Sequence, residues 1–519
     1  MSASRQKKLR QEQAAAAPAT KRPPVSEEQK AAKRLKLWSI VFYVVIGLMV
    51  LGILCAAVYN SGLLQRTLTA ATVGSHKLTA AEVNFYFVDS VNNNAYLSYF
   101  VEAGVPLDEQ EYQDGQTWAD YVMDTAIQTA RNTYAVYDAA IAAGFTMDDE
   151  MQAEVDEAIA NMELYASIYG YSSVSAMIRA NYGVGCNVSN YRHYLEVQQL
   201  ASHYANHYYE ELTYTQEDIN AESEANPTDY NSYSYRYYLL STSDYYETEA
   251  DEHTEEETTA ALAAAKEAAD QMAVDCENNE EAFKAKVAEL TATDTDETSE
   301  ETEPQDTSLH TGELKSSISS TLADWITDAS RQAGETTVIE AANDAGYYVV
   351  MYLSTDENRD VNTVNVRHIL ISTQDGTSEE DALAKIEDIQ AQYEENPTED
   401  NFAELANENS SDTGSNTNGG LYENVMPGQM VAAFNDWCFD EARQPGDTGV
   451  VKTDYGYHLI YFVGQTEQTY RDAMIENTLK NNDYEAWYTA TTEALSMDRS
   501  FALKMAKTNV TVQSNSSSN

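Results

Sequence analysis

Two histidines on separate apolar runs are the side chains whose type and setting could do chemistry in this sequence. His368 lies within residues 365–372, where apolar and polar residues alternate as they do in a half-buried strand. His458 lies about ninety positions later, within an apolar and aromatic run at 456–463 that also predicts a strand. An imidazole can both donate and accept hydrogen bonds, so such a pair either stabilises a core or belongs to a site. The residues alone leave both interpretations open.

The segment between the histidines contains further elements in a definite order. A charged helical pattern covers 378–392, and a loop rich in Ser, Asp, Gly and Asn covers 410–420. The motifs are Arg-His-Ile-Leu at 367–370, Gly-Gln-Met-Val at 428–431 ahead of Phe434, and Tyr-Gly-Tyr-His at 455–458. In this order they resemble the parvulin family of peptidyl-prolyl cis-trans isomerases. The resemblance implies a domain at 362–464, with a four-stranded antiparallel sheet wrapped by helices and an active site on its concave face.

Prolyl isomerisation explains why such a site needs apolar side chains. Rotation about a peptide bond crosses a barrier of about 18–20 kcal/mol, and the two X-Pro isomers differ by only about 1 kcal/mol. No bond breaks, so a catalyst has to hold the proline ring, keep water off the amide and bind the twisted amide best. Met430 and Phe434 are candidates for this cup, and their i, i+4 spacing predicts one shared helical face. Without the resemblance, both would be ordinary core residues.

The resemblance also implies a catalytic set of four residues. It places His368 and His458 side by side on central strands, where their hydrogen bonds shape the pocket beneath the substrate. It places Asp412 beside the substrate carbonyl and Thr453 as a hydroxyl in the same network. Taken alone, Asp412 is a turn residue in a loop of Ser, Asp, Gly and Asn.

Substrate binding is implied for residues on the opposite side of the pocket: Gln429, Met430, Phe434 and Tyr455. The sequence departs from the family after Gly420, because many parvulins continue with Asp-Leu-Gly and an aromatic residue, whereas Leu-Tyr-Glu-Asn follows here. The wall of the pocket on that side, and the preference for the residue before proline, therefore stay open. No Arg and Lys cluster stands near the site, so we expect no phosphate-reading specificity. We also expect no metal or cofactor.

The amino-terminal segment predicts a membrane anchor. Residues 1–36 hold ten Lys or Arg against three acidic residues and predict a disordered basic arm. Residues 37–59 carry no charge and are long enough to cross a hydrocarbon core of about 30 Å as a helix. The excess of positive charge before this helix predicts a cytoplasmic amino terminus and an extracytoplasmic remainder. A cleaved signal peptide, or lipidation at Cys55, are the alternatives.

Residues 70–215 have a helical pattern. Thr-Ala-Ala-Glu at 79–82 predicts a capping box, and glycines at 144, 170 and 183 predict helix ends. The region resembles the amino-terminal domain of the PrsA and SurA foldases, which combine a helical chaperone domain with parvulin domains. It is either a groove that holds unfolded chains or a spacer between the membrane and the catalytic domain.

Residues 229–354 repeat the pattern of the catalytic segment. Tyr-Arg-Tyr-Tyr-Leu-Leu-Ser at 235–241 aligns with 366–372, and Gly-Tyr-Tyr-Val at 346–349 aligns with 456–459. Both histidine positions hold tyrosine here, Tyr237 and Tyr348. The place of the Asp412 loop is taken by an acidic run at 291–307. We therefore expect a second, degenerate parvulin-like domain, with chance similarity as the alternative.

The chain's end and its overall charge complete the organisation. Residues 466–507 predict helices that return to the amino-terminal domain, and 508–519 predict a polar tail, so the expected fold class is α+β. Four cysteines make no disulfide framework. The net charge of −54 argues against nucleic acid as a partner and favours solubility, or steering of basic clients.

Three functions follow as alternatives. The first is an isomerase and chaperone at the outer face of the membrane, whose partners are unfolded exported polypeptides with X-Pro bonds and, through one helix, the bilayer. The second is a non-catalytic holdase with a vestigial parvulin site. The third is a structural surface protein that uses the scaffold. The oligomeric state stays open, with a dimer among the possibilities.

Overall fold

The computed structural model describes residues 6–8, 10–12, 27–113, 115–247, 253–291, 306–374 and 376–512. The chain divides into two compact units. The first contains residues 1–208 and 486–519, and the second contains residues 209–485. Parts of the predicted basic arm, most of the predicted acidic run and the end of the predicted tail lie outside the described residues.

Helices dominate the first unit. They are α1 (Glu27–Asn60), α2 (Leu63–Thr67), α3 (Ala80–Asn92), α4 (Leu97–Phe100), α5 (Trp118–Ala143), α6 (Asp149–Ile168), α7 (Val174–Tyr182) and most of α8 (Val188–Glu211). Its strands are β1 (Thr69–Val73), β2 (His76–Thr79), β3 (Glu111–Gln113), β4 (Gln116–Thr117) and β13 (Met497–Arg499).

Within α1, residues Leu35–Asn60 form the one helix of the described chain that is long and apolar enough to cross a membrane. Its 26 residues would extend about 39 Å at the usual helical rise, more than the hydrocarbon thickness requires. Its apolar side chains are exposed, as expected of a helix whose surroundings are lipid. The predicted span of 37–59 lies inside it.

The start of α3 follows the predicted capping box. The Thr79 amide donates to Glu82 Oε2 at 2.7 Å, and the Glu82 amide donates back to Thr79 Oγ1 at 3.3 Å. Each bond satisfies an amide that has no partner inside the helix. The same helix buries Phe85 and Phe87 in the core of this unit, so local capping and burial agree.

The carboxyl-terminal segment joins the amino-terminal unit, as predicted, but not as a helix. After α16 ends at Glu493, β13 pairs with β1 in antiparallel register, and Phe501–Met505 is a short 3-10 helix. The Lys507 amide donates to Asn84 Oδ1 at 2.7 Å. Helical spacing of apolar residues stops before Glu493, which is why a pattern-based helix to residue 507 overextends.

The second unit contains two four-stranded antiparallel sheets, which confirms the α+β class. The first sheet has β5 (Ser232–Ser241), β6 (Leu309–Leu314), β7 (Thr336–Glu340) and β8 (Gly346–Asp356) in the order β6-β5-β8-β7. The second has β9 (Asn362–Ser372), β10 (Leu421–Val425), β11 (Thr448–Thr453) and β12 (Gly456–Thr469) in the order β10-β9-β12-β11. Its helices are α9 (Gln216–Ala225), α10 (Glu255–Cys276), α11 (Glu280–Thr291), α12 (Ser320–Ile326), α13 (Glu379–Glu395), α14 (Glu399–Asn409), α15 (Ala432–Cys438) and most of α16 (Tyr470–Glu493).

The two sheets have the same strand order and the same register. His368 lies opposite Ile460 in the second sheet, and Tyr237 lies opposite Val350 at the matching place in the first. Because side chains alternate between the faces of a sheet, this common register puts equivalent positions on equivalent faces. The predicted repeat is therefore a repeat of architecture.

Each sheet also has an equivalent ion pair between its central strand and a helix. Arg236 on β5 pairs with Glu280 at 2.9 Å, and Arg367 on β9 pairs with Glu399 at 2.9 Å. Each glutamate is the first residue of a helix, where a carboxylate is favoured by the helix dipole. Arg236 therefore connects β5 to the start of α11, and Arg367 connects β9 to the start of α14.

A buried arginine connects the segments on either side of the first sheet. Arg471 on α16 is 1% exposed. Its guanidinium donates to Asn231 Oδ1 at 2.7 Å, Pro227 O at 2.9 Å, Ser223 Oγ at 3.0 Å and Glu357 O at 3.3 Å. These acceptors are uncharged and lie on α9, the connection into β5 and the connection between β8 and β9. Burial lowers the pKa of Arg471, but a guanidinium remains charged in proteins.

Replacing Arg471 with methionine should destabilise the second unit, because buried acceptors on three segments lose their donor. We expect a loss of about 3 kcal/mol in the free energy of unfolding. Hydrogen exchange of residues 226–231 and 357–361 measures it directly. The matched control is Arg359→Met, whose side chain is 55% exposed. Equal protection in the two variants would show that Arg471 does not connect these segments.

Candidate active site

The two histidines lie next to each other on the central strands of the second sheet. His368 on β9 and His458 on β12 are each 5% exposed, and their Nδ1 atoms are 3.1 Å apart. The rings are nearly parallel, with centroids 5.3 Å apart. Antiparallel pairing of β9 and β12 thus brings together two residues that are ninety positions apart in the chain.

Hydrogen bonds extend from the histidines in both directions. His368 Nε2 lies 2.8 Å from Asp412 Oδ2, and His458 Nε2 lies 2.9 Å from Thr453 Oγ1. A carboxylate only accepts, so His368 carries a proton on Nε2, and in its neutral form it presents a lone pair at Nδ1. His458 must then donate from Nδ1 and accept at Nε2 from the Thr453 hydroxyl. Thr453, His458, His368 and Asp412 thus form a row of hydrogen bonds, and with a neutral His368 each residue donates to the next one in that order.

The electrostatics favour a neutral His458. Burial, together with the neighbouring His368, lowers the pKa of His458 from 6.5 to about 4. The hydrogen bond from His368 holds the pKa of Asp412 well below its usual range despite partial burial, and bonds from Ser415 and Tyr422 act in the same direction. At neutral pH Asp412 is therefore a carboxylate and His458 is a neutral imidazole.

Ser415 and Tyr422 contact Asp412 although sequence reasoning assigned them no role. The Ser415 hydroxyl donates to Asp412 Oδ2 at 2.5 Å, and the Tyr422 hydroxyl donates to the same oxygen at 3.0 Å. Tyr422 on β10 lies opposite Val366 on β9, so its side chain is on the face of the sheet that carries His368. Strand alternation could have identified Tyr422. Ser415 lies in a loop without periodicity, so no pattern indicated it.

Phe434 forms the apolar side of the site. It is 3% exposed and presents its ring edge-on to both imidazoles, with centroids 5.5 Å from His368 and from His458. Met430 is half-buried and packs against the same apolar cluster. It precedes α15, which begins at Ala432, so the predicted shared helical face is wrong. The turn at Gly428, with φ of 78°, re-aims the chain before the helix and brings Met430 to the cluster without helical spacing.

Gln429 and Tyr455 are exposed. Gln429 is exposed, and its side-chain oxygen accepts from the Met426 amide at 2.9 Å. Tyr455 is 55% exposed in the turn between β11 and β12, and its amide donates to Thr453 Oγ1 at 3.1 Å. Among the described residues, neither side chain makes a hydrogen bond or a ring contact with the imidazoles.

The loop that carries Asp412 returns to the sheet through two glycines. The His368 amide donates to Gly420 O at 2.9 Å. Gly420 has φ of 71°, and a Cβ there would lie 2.2 Å from His368 O. Only glycine permits this close approach at positive φ, so the Gly-Gly pair sets the distance between the loop and β9.

In the described part of the chain, no three His, Cys, Asp or Glu side chains are grouped to hold a metal.

Comparisons with known proteins give matches over the part of the chain that carries the site. Residues 347–466 match the PPIC-type PPIase domain, and the match begins within β8 of the first sheet. Foldase protein PrsA 1 of Listeria innocua is 37% identical over 105 residues, which is 20% of this chain and 32% of that protein. Chaperone SurA of Chromohalobacter salexigens is 32% identical over 160 residues, 28% of this chain and 35% of that protein. The chain spans about a third of the length of these relatives.

A solved structure of the peptidylprolyl isomerase PrsA from Bacillus anthracis is also similar. It is 19% identical and aligns with 27% of this chain and 60% of its own, with a TM-score of 0.19. The residues that match the PPIC-type PPIase domain include His368, Asp412, Thr453 and His458, and part of the chain is similar to PrsA and SurA proteins.

Proposed function

We propose that the chain is a membrane-anchored peptidyl-prolyl cis-trans isomerase and chaperone that assists the folding of exported proteins. The observation that carries this proposal is the fixed row of hydrogen bonds from Thr453 to Asp412 beneath the ring of Phe434. This row gives the site a rigid polar floor and an apolar side wall. The match to the PPIC-type domain supports the same activity.

Isomerisation requires the site to favour an amide twisted out of its plane. A planar amide owes its polarity to resonance, and twisting removes the resonance. An apolar, water-poor wall therefore disfavours the planar amide more than the twisted one. Phe434 and Met430 would contact the proline ring, with Gln429 and Tyr455 at the rim of the pocket.

The four residues of the row act as positioning residues in this proposal. Asp412 Oδ2 already accepts from His368, Ser415 and Tyr422. An oxygen with three donors is a poor base, and the reaction needs no proton transfer. The role that fits is to fix the tautomer and the orientation of His368, and through it His458.

The first sheet is proposed to be a non-catalytic parvulin-like domain. Tyr237 and Tyr348 occupy the places of the two histidines, with ring centroids 5.7 Å apart and an edge-on angle of 77°. Two phenols cannot form the histidine row, because they lack its paired nitrogen atoms. We propose domain limits of 229–354 for this domain and 362–464 for the catalytic one.

Position in the cell follows from α1. We propose a single-pass protein with its amino terminus in the cytoplasm, because Lys30, Lys33, Arg34 and Lys36 precede the apolar span. Unfolded or partly folded exported polypeptides with X-Pro bonds would be its clients. The helical region at 70–215 would hold such clients while the second sheet isomerises them.

Replacing Met430 with alanine should slow catalysis, because the proline ring loses part of its apolar cup. We expect kcat/KM to fall about tenfold, which corresponds to about 1.4 kcal/mol of transition-state binding. The measurement is the proline-limited refolding of a test protein. The control is Met426→Ala, since Met426 packs in a different cluster with Ile219 and Ile475. Equal rates for the native protein and Met430→Ala would favour the holdase alternative.

Acidification should lower the stability of the second sheet, because it protonates His458. Its folded pKa of about 4 lies below the free value of 6.5, so between these pH values the unfolded chain binds more protons than the folded one. Stability conferred by neutral His458 is complete above pH 6.5 and is lost as pH falls towards 4. The loss amounts to about 3 kcal/mol.

Hydrogen exchange of β12 at pH 4.5 and pH 7, corrected for intrinsic rates, measures this loss. His458→Gln should remove most of the pH dependence, whereas the exposed His193→Gln should leave it intact. An unchanged pH dependence in His458→Gln would contradict the assignment of a neutral, buried imidazole.

A further inference from the structure

The first sheet has a cavity of about 180 Å³ at the place where the second sheet has its histidine row. Tyr237 and Tyr348, which replace the two histidines, line it together with Tyr235, His310 and Glu313. All five lie on β5, β6 or β8. The cavity is therefore built on the rigid sheet and occupies the equivalent of the active site, although the chemistry of its walls is different.

Aromatic rings form one side of this cavity. The His310 ring stacks against Tyr235 and Tyr237, with centroids 5.1 Å and 4.7 Å away and interplanar angles of 9° and 23°. Tyr348 meets Tyr237 edge-on. Three phenol rings thus surround one small space. The electron-rich faces of such rings attract cations.

A chain of hydrogen bonds on the other side holds the Nδ1 atom of His310. Glu313 accepts from the Tyr235 hydroxyl at 2.6 Å and lies 2.8 Å from His310 Nδ1. Burial and the bond to Glu313 raise the pKa of Tyr235, which keeps it a phenol donor. Because the carboxylate only accepts, His310 carries its proton on Nδ1. In the neutral form of the ring, the Nε2 atom is then a lone-pair acceptor.

That acceptor is buried and unused. Within the described residues, His310 Nε2 has no hydrogen-bond partner, although it is shielded from solvent. In the second sheet, by contrast, every ring nitrogen of His368 and His458 has a partner. A buried acceptor without a donor costs free energy, which a ligand with an N–H group would recover.

We propose that this cavity binds the cationic end of an arginine or lysine side chain of a client polypeptide. Guanidinium and ammonium groups carry only N–H donors, which satisfy His310 Nε2, and a positive charge, which the aromatic rings of the wall and the carboxylate of Glu313 attract. Among the described residues, the cavity walls include one carboxylate and no lysine or arginine. The chain has 85 acidic against 31 basic residues, so its field also attracts cationic segments.

Other occupants fit less well. A proline ring has no N–H and would leave His310 Nε2 unsatisfied. An anionic group would face the carboxylate of Glu313. The inference rests on the proposed function in that the cation belongs to a client, but it concerns binding at the first sheet and not isomerisation at the second. The two can therefore fail separately.

Ligand-observed NMR titration of the full-length protein in detergent tests the proposal. The probes are blocked pentapeptides of alanine with one central residue: arginine, its neutral analogue citrulline, lysine, or its neutral analogue norleucine. We expect the arginine and lysine peptides to bind about tenfold more tightly than their neutral analogues. Of the arginine and lysine peptides, the one that binds more tightly shows which cation the cavity prefers.

Variants locate the binding. Glu313→Gln should weaken the arginine peptide about tenfold, whereas Glu423→Gln, on the matching strand β10 of the second sheet, should not. Tyr348→Phe should keep the binding because it keeps the ring face, and Tyr348→Leu should lose it. Isomerase activity measured on the same Glu313→Gln preparation should be unchanged, which also shows that the protein is folded.

Equal affinity for charged and neutral peptides would overturn the proposal. It would also be overturned if Glu313→Gln and Glu423→Gln weakened binding equally, or if Tyr348→Leu bound as tightly as Tyr348→Phe. If the native protein shows no isomerase activity but binds the charged peptides more tightly than the neutral ones, the proposed function is wrong and the cavity assignment stands.

Discussion

Two imidazoles can share a hydrogen bond through their Nδ1 atoms only when one of them is protonated there and the other is not. In the second sheet this condition sets every other proton in the row. Asp412 accepts a hydrogen bond from His368 Nε2, so the neutral form of His368 presents its lone pair at Nδ1 to His458. His458 then turns its own lone pair towards Thr453. Burial keeps His458 neutral, so a low dielectric and an ordered set of protons stabilise each other.

The fold serves this row by placing the histidines on adjacent central strands and bringing a loop to them from one side. Antiparallel pairing supplies the first condition, and Gly420 supplies the second, because the loop backbone approaches β9 more closely than a side chain permits. The first sheet uses the same strand order and register with tyrosines in place of histidines. Two sheets with the same strand order therefore carry different side chains at equivalent places: hydrogen-bonded histidines in the second, and tyrosines beside an unpartnered His310 Nε2 in the first.

Much of this organisation can be predicted from the sequence because it depends on local periodicity. Alternation located the strands around His368 and His458, and Thr79 with Glu82 marked the start of α3. The internal repeat predicted a second sheet, because the same residue spacing requires the same strands.

Features set by irregular backbone could not be predicted in this way. Met430 reaches the apolar cluster through a turn, not through the helical spacing that suggested it. Ser415 contacts Asp412 from a loop that has no period. The segment after Glu493 forms a strand because β1 offers an unpaired edge, and that pairing depends on contacts more than four hundred residues apart. Residues outside regular elements thus carried the errors, as expected where tertiary contacts override local preference.

Exchange NMR on a blocked Ala-Pro peptide tests the central claim most directly. Uncatalysed X-Pro isomerisation takes tens of seconds or more, so the cis and trans signals of the free peptide exchange no magnetisation within one second. With a catalytic amount of the full-length protein, the account predicts exchange peaks between the two signals at sub-second mixing times. If a folded protein, with the amides of β9 and β12 protected, leaves the exchange as slow as in buffer, then the histidine row does not form an isomerase site.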